Sequence, residues 1–350
     1  MATSRPWAIG TAVAAVVLAS VACTSGPRPA TPGRVSVLPA ELPAPSAGGA
    51  VVARNDRFVL YSAGPGDTLA SLAERFLGSE ARAWEIAKFN AIARTEAGEV
   101  IVIPLQPVNP RGVSITGFQT IPILTYHRFG PKASKMVVTP DAFATQLDYL
   151  ARNGYRVVRL AELTDFLAGT RGLPERAVVI TIDDGHASMY EHAYPLLKKH
   201  GFPATFFLYS DFIGAGDALR WPQIREMAAS GLIDFQSHSK THANLVERLP
   251  GESDQRYRER LESEIRVPQE VLERNLATTV TQYAYPYGDA NEAVLARLSA
   301  ADYELGVTVN PGGNAFFALP LMLRRSMVFG DHDLEGFKAL LQVFRPVDLR

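Results

Sequence analysis

The sequence predicts an α/β fold, a distorted (β/α) barrel over residues 115–350 preceded by a small βααβ module over residues 57–105. Three observations carry this prediction. From Ile121 onward, short apolar runs alternate with amphipathic stretches in which Leu, Ile, Ala and Met recur every three or four residues, the pattern of a parallel sheet with helical crossovers. The number of repeats favours a closed or nearly closed barrel over a small open sheet. Upstream, a strand, two short helices and a strand fit between Arg57 and Leu105, and a Pro-rich stretch sets this unit apart from an apolar amino terminus.

The 350 residues are 47% hydrophobic and 20% charged, a globular balance that excludes disorder as the main state. Lys and Arg number 35 against 36 Asp and Glu, and no long single-sign block occurs, so a nucleic-acid partner is not expected. One cysteine excludes an internal disulfide and a four-cysteine zinc site.

That cysteine, Cys23, follows a basic residue, Arg5, and an uncharged, largely apolar run from Trp7 to Val21. The run is shorter than the roughly 20 residues a membrane span needs and fits an export signal over residues 1–22. Ser20-Val21-Ala22-Cys23 resembles the lipobox of bacterial lipoproteins, with Ser20 where that family prefers Leu. The resemblance implies an exported cell-envelope protein held to a membrane through a lipid on Cys23, facing the periplasm or cell wall. Residues 23–56, with Pro27, Pro29, Pro32, Pro39, Pro43 and Pro45, read as an extended tether.

In the small module, Phe58 and Leu60 alternate with polar or small neighbours in a strand over Arg57–Ser62. Gly64-Pro65-Gly66-Asp67 turns the chain, and Asp67 is placed to cap a helix carrying Leu69, Leu72, Ala73 and Phe76. A second helix over Arg82–Asn90 buries Trp84, Ile86 and Phe89, and Val100 to Ile103 form a closing strand. Tyr61 before Gly66-Asp67-Thr68-Leu69, Ile86-Ala87 with Asn90, and Val102-Ile103-Pro104 resemble a LysM module. That resemblance implies binding to an N-acetylglucosamine-containing glycan, although a spacer that keeps the fold without binding has the same pattern.

In the large region the expected strands are Ile121–Tyr126, Tyr155–Leu160, Ala177–Ile182, Ala204–Tyr209, Ile233–Ser237, Gln282–Tyr285, Leu305–Val309 and Leu323–Val328. Helices are expected over Asp141–Arg152, Met189–Lys199, Gln223–Ala229 and Ala290–Ala300. Three polar clusters follow strand ends, where a barrel gathers its reactive groups. Asp183-Asp184-Gly185 places two carboxylates side by side, which must each be offset by a cation, a metal or a proton, though Asp-Gly is also a common turn pair. His238-Ser239-Lys240-Thr241-His242 brings two imidazoles to one face if it coils helically. Tyr283-Ala284-Tyr285-Pro286-Tyr287-Gly288 ends a strand in a tight turn that could aim backbone N–H groups at a ligand.

In this order the clusters resemble the polysaccharide deacetylases of carbohydrate esterase family four, the NodB-like fold. Supporting stretches are Ile121-Pro122-Ile123-Leu124-Thr125-Tyr126-His127, Pro203-Ala204-Thr205-Phe206-Phe207, and Trp221-Pro222-Gln223-Ile224 leading to Ser230-Gly231. The resemblance implies a divalent metal, usually zinc, on Asp184, His238 and His242, with Asp183 as general base and the Tyr287 N–H as oxyanion donor. It implies hydrolysis of N-acetyl groups on an N-acetylglucosamine polymer, with acetate released.

Two departures bear on this. Family members carry an arginine in the third motif that orients the base, and here Ala284 stands in that place. They also carry a Leu-x-x-His motif whose histidine is the general acid. No clean copy occurs, which leaves His332 and His127 as rivals. His186, His192 and His200 are expected on the surface or in packing, and Tyr285 and Trp221 fit either the sugar site or the core. The LysM resemblance favours peptidoglycan as substrate, whereas the short third motif and early Tyr126-His127 resemble the branch acting on poly-N-acetylglucosamine. An inactive glycan-binding protein is the competing reading. A glycosidase is disfavoured, because adjacent aspartates cannot flank a sugar at the roughly 5 Å or more that paired carboxylates need.

Overall fold

The computed structural model describes residues 49–348, so the expected signal, Cys23 and most of the tether lie outside the described residues. No helix among the described residues is long and apolar enough to cross a membrane.

The first element corrects the tether boundary. Within residues 23–56, Ala50–Arg54 forms a strand (β1) antiparallel to β2 (Phe58–Ser62). Its Val51-Val52 pair is β-branched and suits an edge strand, a signal hidden by the Pro-rich composition before it. Helix α1 (Leu69–Leu77), helix α2 (Ala83–Asn90) and strand β3 (Val100–Pro104) complete the expected order, with β3 antiparallel to β2. The α1 cap is Thr68 rather than Asp67: Thr68 and Ser71 exchange side-chain and backbone hydrogen bonds in a capping box. Asp67 instead accepts from the Gly64 N–H and the Tyr61 hydroxyl, which ties the turn to the sheet. Asn90 fastens α2 to β3 by donating to the Val102 carbonyl and accepting from the Val102 N–H. Val59, Tyr61, Leu72, Ile86, Ile101 and Ile103 form a core of their own.

The large region alternates strands and helices: β4 (Ile121–Tyr126), α3 (Pro140–Arg152), β5 (Arg156–Val157), α4 (Glu162–Ala168), β6 (Ala177–Ile182), α5 (Tyr194–His200), β7 (Ala204–Leu208), α6 (Trp221–Ala229), β8 (Ile233–Ser237), α7 (Asp254–Leu276), β9 (Gln282–Ala284), α8 (Glu292–Ala300), β10 (Leu305–Val307), β11 (Gly313–Asn314), β12 (Ser326–Met327) and α9 (Leu334–Ala339). The sheet runs β10-β9-β8-β7-β6-β4-β11, with β5 on β6 and β12 on β4, and it is parallel except where β11 meets β4. It is a curled sheet, and one segment spans its two sides. Leu323 bridges to Val307 while Ser326 and Met327 pair with Leu124 and Thr125. Only two residues of the expected Leu323–Val328 strand are ladder-paired, because this segment crosses the gap between β10 and β4.

Alternation along the strands divides the core. Leu124, Tyr126, Val178, Ile180 and Ile182 face the helices, whereas Ile121, Ile123, Val179, Phe207, Ala284, Val307 and Leu323 share a second cluster inside the curl. Both faces of β4 and β6 are therefore buried, which accounts for their continuous apolar runs. The inward register then continues through Thr125 and Thr181 to Asp183.

Helices α4, α7 and α9 were not among the sequence expectations. Helix α7 buries Tyr257, Leu261, Ile265 and Leu272 along one stripe, but it is charged on its remaining faces and contains Pro268, which masks the pattern.

Candidate active site

The site is built where β6, β8 and β9 end. At Asp183 the inward register delivers a carboxylate into the curl, 1% exposed, where Arg325 meets it from the segment spanning the sheet. Arg325 is fully buried and donates through Nη1 and Nη2 to the two Asp183 oxygens at 2.7 and 2.6 Å. Its remaining donors go to the Thr308 carbonyl at 2.8 Å and to the Thr125 and Thr181 hydroxyls at 3.0 and 3.1 Å. Burial works against charge on Asp183, but the guanidinium outweighs it and holds the carboxyl below the ordinary aspartate range. A buried pair survives only when both ions are hydrogen-bonded, and this one is.

Asp184 takes a different direction because its backbone is left-handed, with φ 80°, and Gly185 follows at φ 95°. A Cβ on Gly185 would also lie 2.9 Å from the Leu208 side chain, so the residue after the paired aspartates has two reasons to be glycine. The turn places Asp184 Oδ1 3.6 Å from His238 Nε2 and 3.5 Å from His242 Nε2. His238 is buried and its Nδ1 lies 2.8 Å from the Ala284 carbonyl, which leaves Nε2 facing Asp184. Burial disfavours charge on His238, but Asp184 and Asp183 overcome that and raise its pKa. Asp184 is likewise disfavoured by burial, yet His186 and His238 hold it far below the usual range.

The two imidazoles meet with ring centroids 4.7 Å apart, although not on a helix. Residues 238–242 form a loop in which Ser239 and His242 are left-handed, at φ 74° and 62°. The Ser239 hydroxyl accepts from the His242 N–H at 2.8 Å, closing the loop on itself.

One carboxylate oxygen and two imidazole nitrogens thus lie within 4.8 Å of one another. This donor set fits a divalent metal: both nitrogens face inward, a carboxylate offsets the charge, and the cleft leaves further positions open. The cleft is about 500 Å³ and is lined by His127, Arg128, Met136, Asp184, His186, Tyr209, Thr241, His242 and Tyr287. A larger cavity of about 580 Å³, lined by Phe118, Phe317 and Phe344 among others, contains none of these residues.

Of the rival histidines, His127 lines the cleft, and burial lowers its pKa against the pull of Asp183 and Asp184. His332 is not among the cleft residues; its Nδ1 accepts from the Phe329 N–H at 3.4 Å and its ring packs on Phe329. Tyr287 is left-handed, with φ 62°, and its ring lies 4.9 Å from that of His242. The following Gly288, at φ 82°, allows no side chain, since a Cβ would come within 2.4 Å of Val309. Tyr285 belongs to the core, with its hydroxyl donating to the Leu321 carbonyl, and Trp221 packs against the same core.

His186 differs from its expected packing role. It is 6% exposed, its Nε2 accepts from Arg128 Nε at 2.9 Å and lies 3.5 Å from Asp184 Oδ2, and its Nδ1 faces Asp217. His200 does pack as expected, stacked on Phe202 beside Asp148. Arg325 is the functional residue that the motifs missed. Its signal was the position two places after Leu323, which puts it in the inward register, within the Arg324-Arg325-Ser326 interruption of a stretch flanked by Leu323 and Met327-Val328.

A family model described as polysaccharide deacetylase matches residues 170–306. YxkH of Bacillus subtilis (strain 168) is 31% identical over 192 residues, covering 55% of this chain and 65% of YxkH. The poly-beta-1,6-N-acetyl-D-glucosamine N-deacetylase of Escherichia coli (strain K12) is 27% identical over 211 residues, 51% of this chain and 31% of that enzyme. The chain therefore spans less than two thirds of either curated relative. Among solved structures, IcaB from Ammonifex degensii is 30% identical with a TM-score of 0.57, covering 65% of this chain and 99% of that one. The Streptococcus pyogenes deacetylase PplD in complex with acetate is 26% identical with a TM-score of 0.58, covering 63% and 98%.

Proposed function

Since the chain belongs to the polysaccharide deacetylase family, we propose that it is a metal-dependent hydrolase that removes N-acetyl groups from an exported N-acetylglucosamine polymer and releases acetate. The observation that carries this reading is the convergence of Asp184, His238 and His242 beside the Asp183–Arg325 pair, with Asp184 and His242 lining the cleft. Poly-β-1,6-N-acetylglucosamine is the favoured substrate, in keeping with the names of the Escherichia coli and Staphylococcus aureus relatives. Peptidoglycan is the second reading, favoured by the strand, helix, helix, strand order of residues 58–104 and its LysM-like residues. A near-neutral chain suits a neutral polymer, for which charge steering offers little.

Asp184, His238 and His242 would hold the ion, and zinc suits two imidazoles and a carboxylate. Such an ion supplies Lewis-acid polarisation of the acetyl carbonyl and acidifies the attacking water. Asp183 takes the proton from the attacking water, and Arg325 keeps its carboxylate ionised and aimed. The Tyr287 N–H donates to the carbonyl oxygen as negative charge develops there. His127 passes a proton to the departing nitrogen as the C–N bond breaks, giving acetate and a free amine. The inactive-protein reading rested on Ala284 and the missing last motif; a guanidinium on Asp183 from another segment removes the first of these supports. The export signal and the lipid on Cys23 complete the proposal: an envelope enzyme held near the glycan.

Metal analysis and acetate release by the full chain test the reading. Acetate from poly-N-acetylglucosamine that is abolished by a chelator and restored by zinc is expected; bound metal with no acetate from either polymer would leave a binding protein. For the acid, His127→Ala is expected to lower turnover by on the order of 10²–10⁴-fold with metal retained. His332→Ala is expected to stay near wild type, and the opposite result would exchange the two assignments.

A further inference from the structure

Resting on the reading that Asp184, His238 and His242 hold a divalent ion, we infer that Glu264 is the positioning residue for the loop that presents both histidines. Glu264 lies on α7, which no motif includes, and is 5% exposed. Its Oε2 accepts from the backbone N–H groups of Lys240 and Thr241 at 3.0 and 2.9 Å, and its Oε1 accepts from the Thr241 hydroxyl at 2.7 Å. No Lys, Arg or His lies within ion-pair distance of it among the described residues, and both of its carboxylate oxygens are engaged by the loop.

The need for such a brace lies in the loop. Ser239 and His242 are left-handed non-glycine residues, a conformation that persists only where the surroundings fix it. The two histidines are also held differently. The His238 ring is anchored at Nδ1 by the Ala284 carbonyl. The His242 ring has no such anchor at Nδ1 among the described residues: its Nε2 faces Asp184 Oδ1 at 3.5 Å, and its faces and edges meet the rings of His238, Tyr209 and Tyr287. The direction of His242 is therefore set by its backbone, which Ser239 holds from within and Glu264 holds from α7. Helix α7 thereby couples to the metal ligands without touching them.

The test is the affinity of the metal-free full chain for Zn²⁺, measured by competition with a chromophoric chelator, together with the thermal midpoint of each metal-free variant. Glu264→Ala and Glu264→Asp, the latter one methylene short of the loop, are expected to weaken Zn²⁺ binding by roughly tenfold to hundredfold. Glu264→Gln keeps the length and an acceptor oxygen and is expected to stay closer to wild type than either. Leu272→Ala, which opens the core under the same helix, is expected to lower the midpoint and leave Zn²⁺ affinity unchanged. The inference is overturned if Glu264→Asp binds like wild type, if Leu272→Ala weakens binding as much as Glu264→Ala, or if Gln is as damaging as Ala while Asp is spared. A wild-type chain that binds no Zn²⁺ would overturn the metal reading and this inference with it, whereas normal wild-type binding with an unaffected Glu264→Asp overturns the inference alone.

Discussion

Arg325→Met is expected to cost about 3–5 kcal/mol of folding stability, because it strands a buried carboxylate without its cation. Asp183 and Arg325 are both essentially inaccessible to water, so screening does not soften the loss. Urea unfolding at pH 7 measures it, and acetate release should fall with it even in the folded fraction, since Asp183 then loses the guanidinium that aims it. The sign of the pH dependence follows from the same pair. The folded carboxyl is held below its unfolded value of about 3.9, so the pair stabilises the fold fully above that value and stops doing so as pH falls through the lowered one. Wild type should therefore lose this contribution only in acid, and Arg325→Met should lack it throughout. Equal stability of the two proteins at pH 7 would remove the pair from the account.

The second large effect is on turnover. Asp183→Asn is expected to lower deacetylation by on the order of 10²–10⁴-fold while retaining metal, because the three ligand residues are untouched. It also leaves Arg325 as an unpaired buried cation, so the variant must be assayed well below its unfolding midpoint. The combined Asp183→Asn, Arg325→Met variant separates the two consequences. Removing both charges should recover much of the stability lost by either single change, with no recovery of acetate release. Full activity in Asp183→Asn would overturn the base assignment.

What could be read in advance was what is local. The Val178-Val179-Ile180 run ending at Asp183-Asp184-Gly185 gave strand, strand end and paired carboxylates together, and β4, β6 and β8 lie on their expected bounds. The convergent groups Asp184, His238 and His242 were legible for the same reason, each sitting within a few residues of a strand end. Arg325 was not legible, because its role depends on a partner 142 residues earlier in the chain. Glu264 was hidden in the same way, on a helix whose charge and internal proline obscured its one apolar stripe. The two imidazoles of residues 238–242 meet without helical coiling, because Ser239 and His242 adopt backbone angles that spacing alone does not reveal. Thr68 took the cap expected of Asp67 because the Asp67 carboxylate is already engaged by the Gly64 N–H and the Tyr61 hydroxyl in the preceding turn.

The segment that spans the curled sheet also sets an order of assembly. Strands β4 through β10 can all be in place, with the paired aspartates and both histidines present, before residues 323–327 cross from β10 to β4. Until that crossing, the carboxylate at Asp183 lacks the guanidinium that pairs with both of its oxygens. Bringing such distant residues together is the slow kind of step in folding. Because the chain is made amino end first, Arg325 emerges after Asp183, Asp184, His238 and His242, so a partly synthesised molecule carries those four residues without the guanidinium that Asp183 meets in the finished fold.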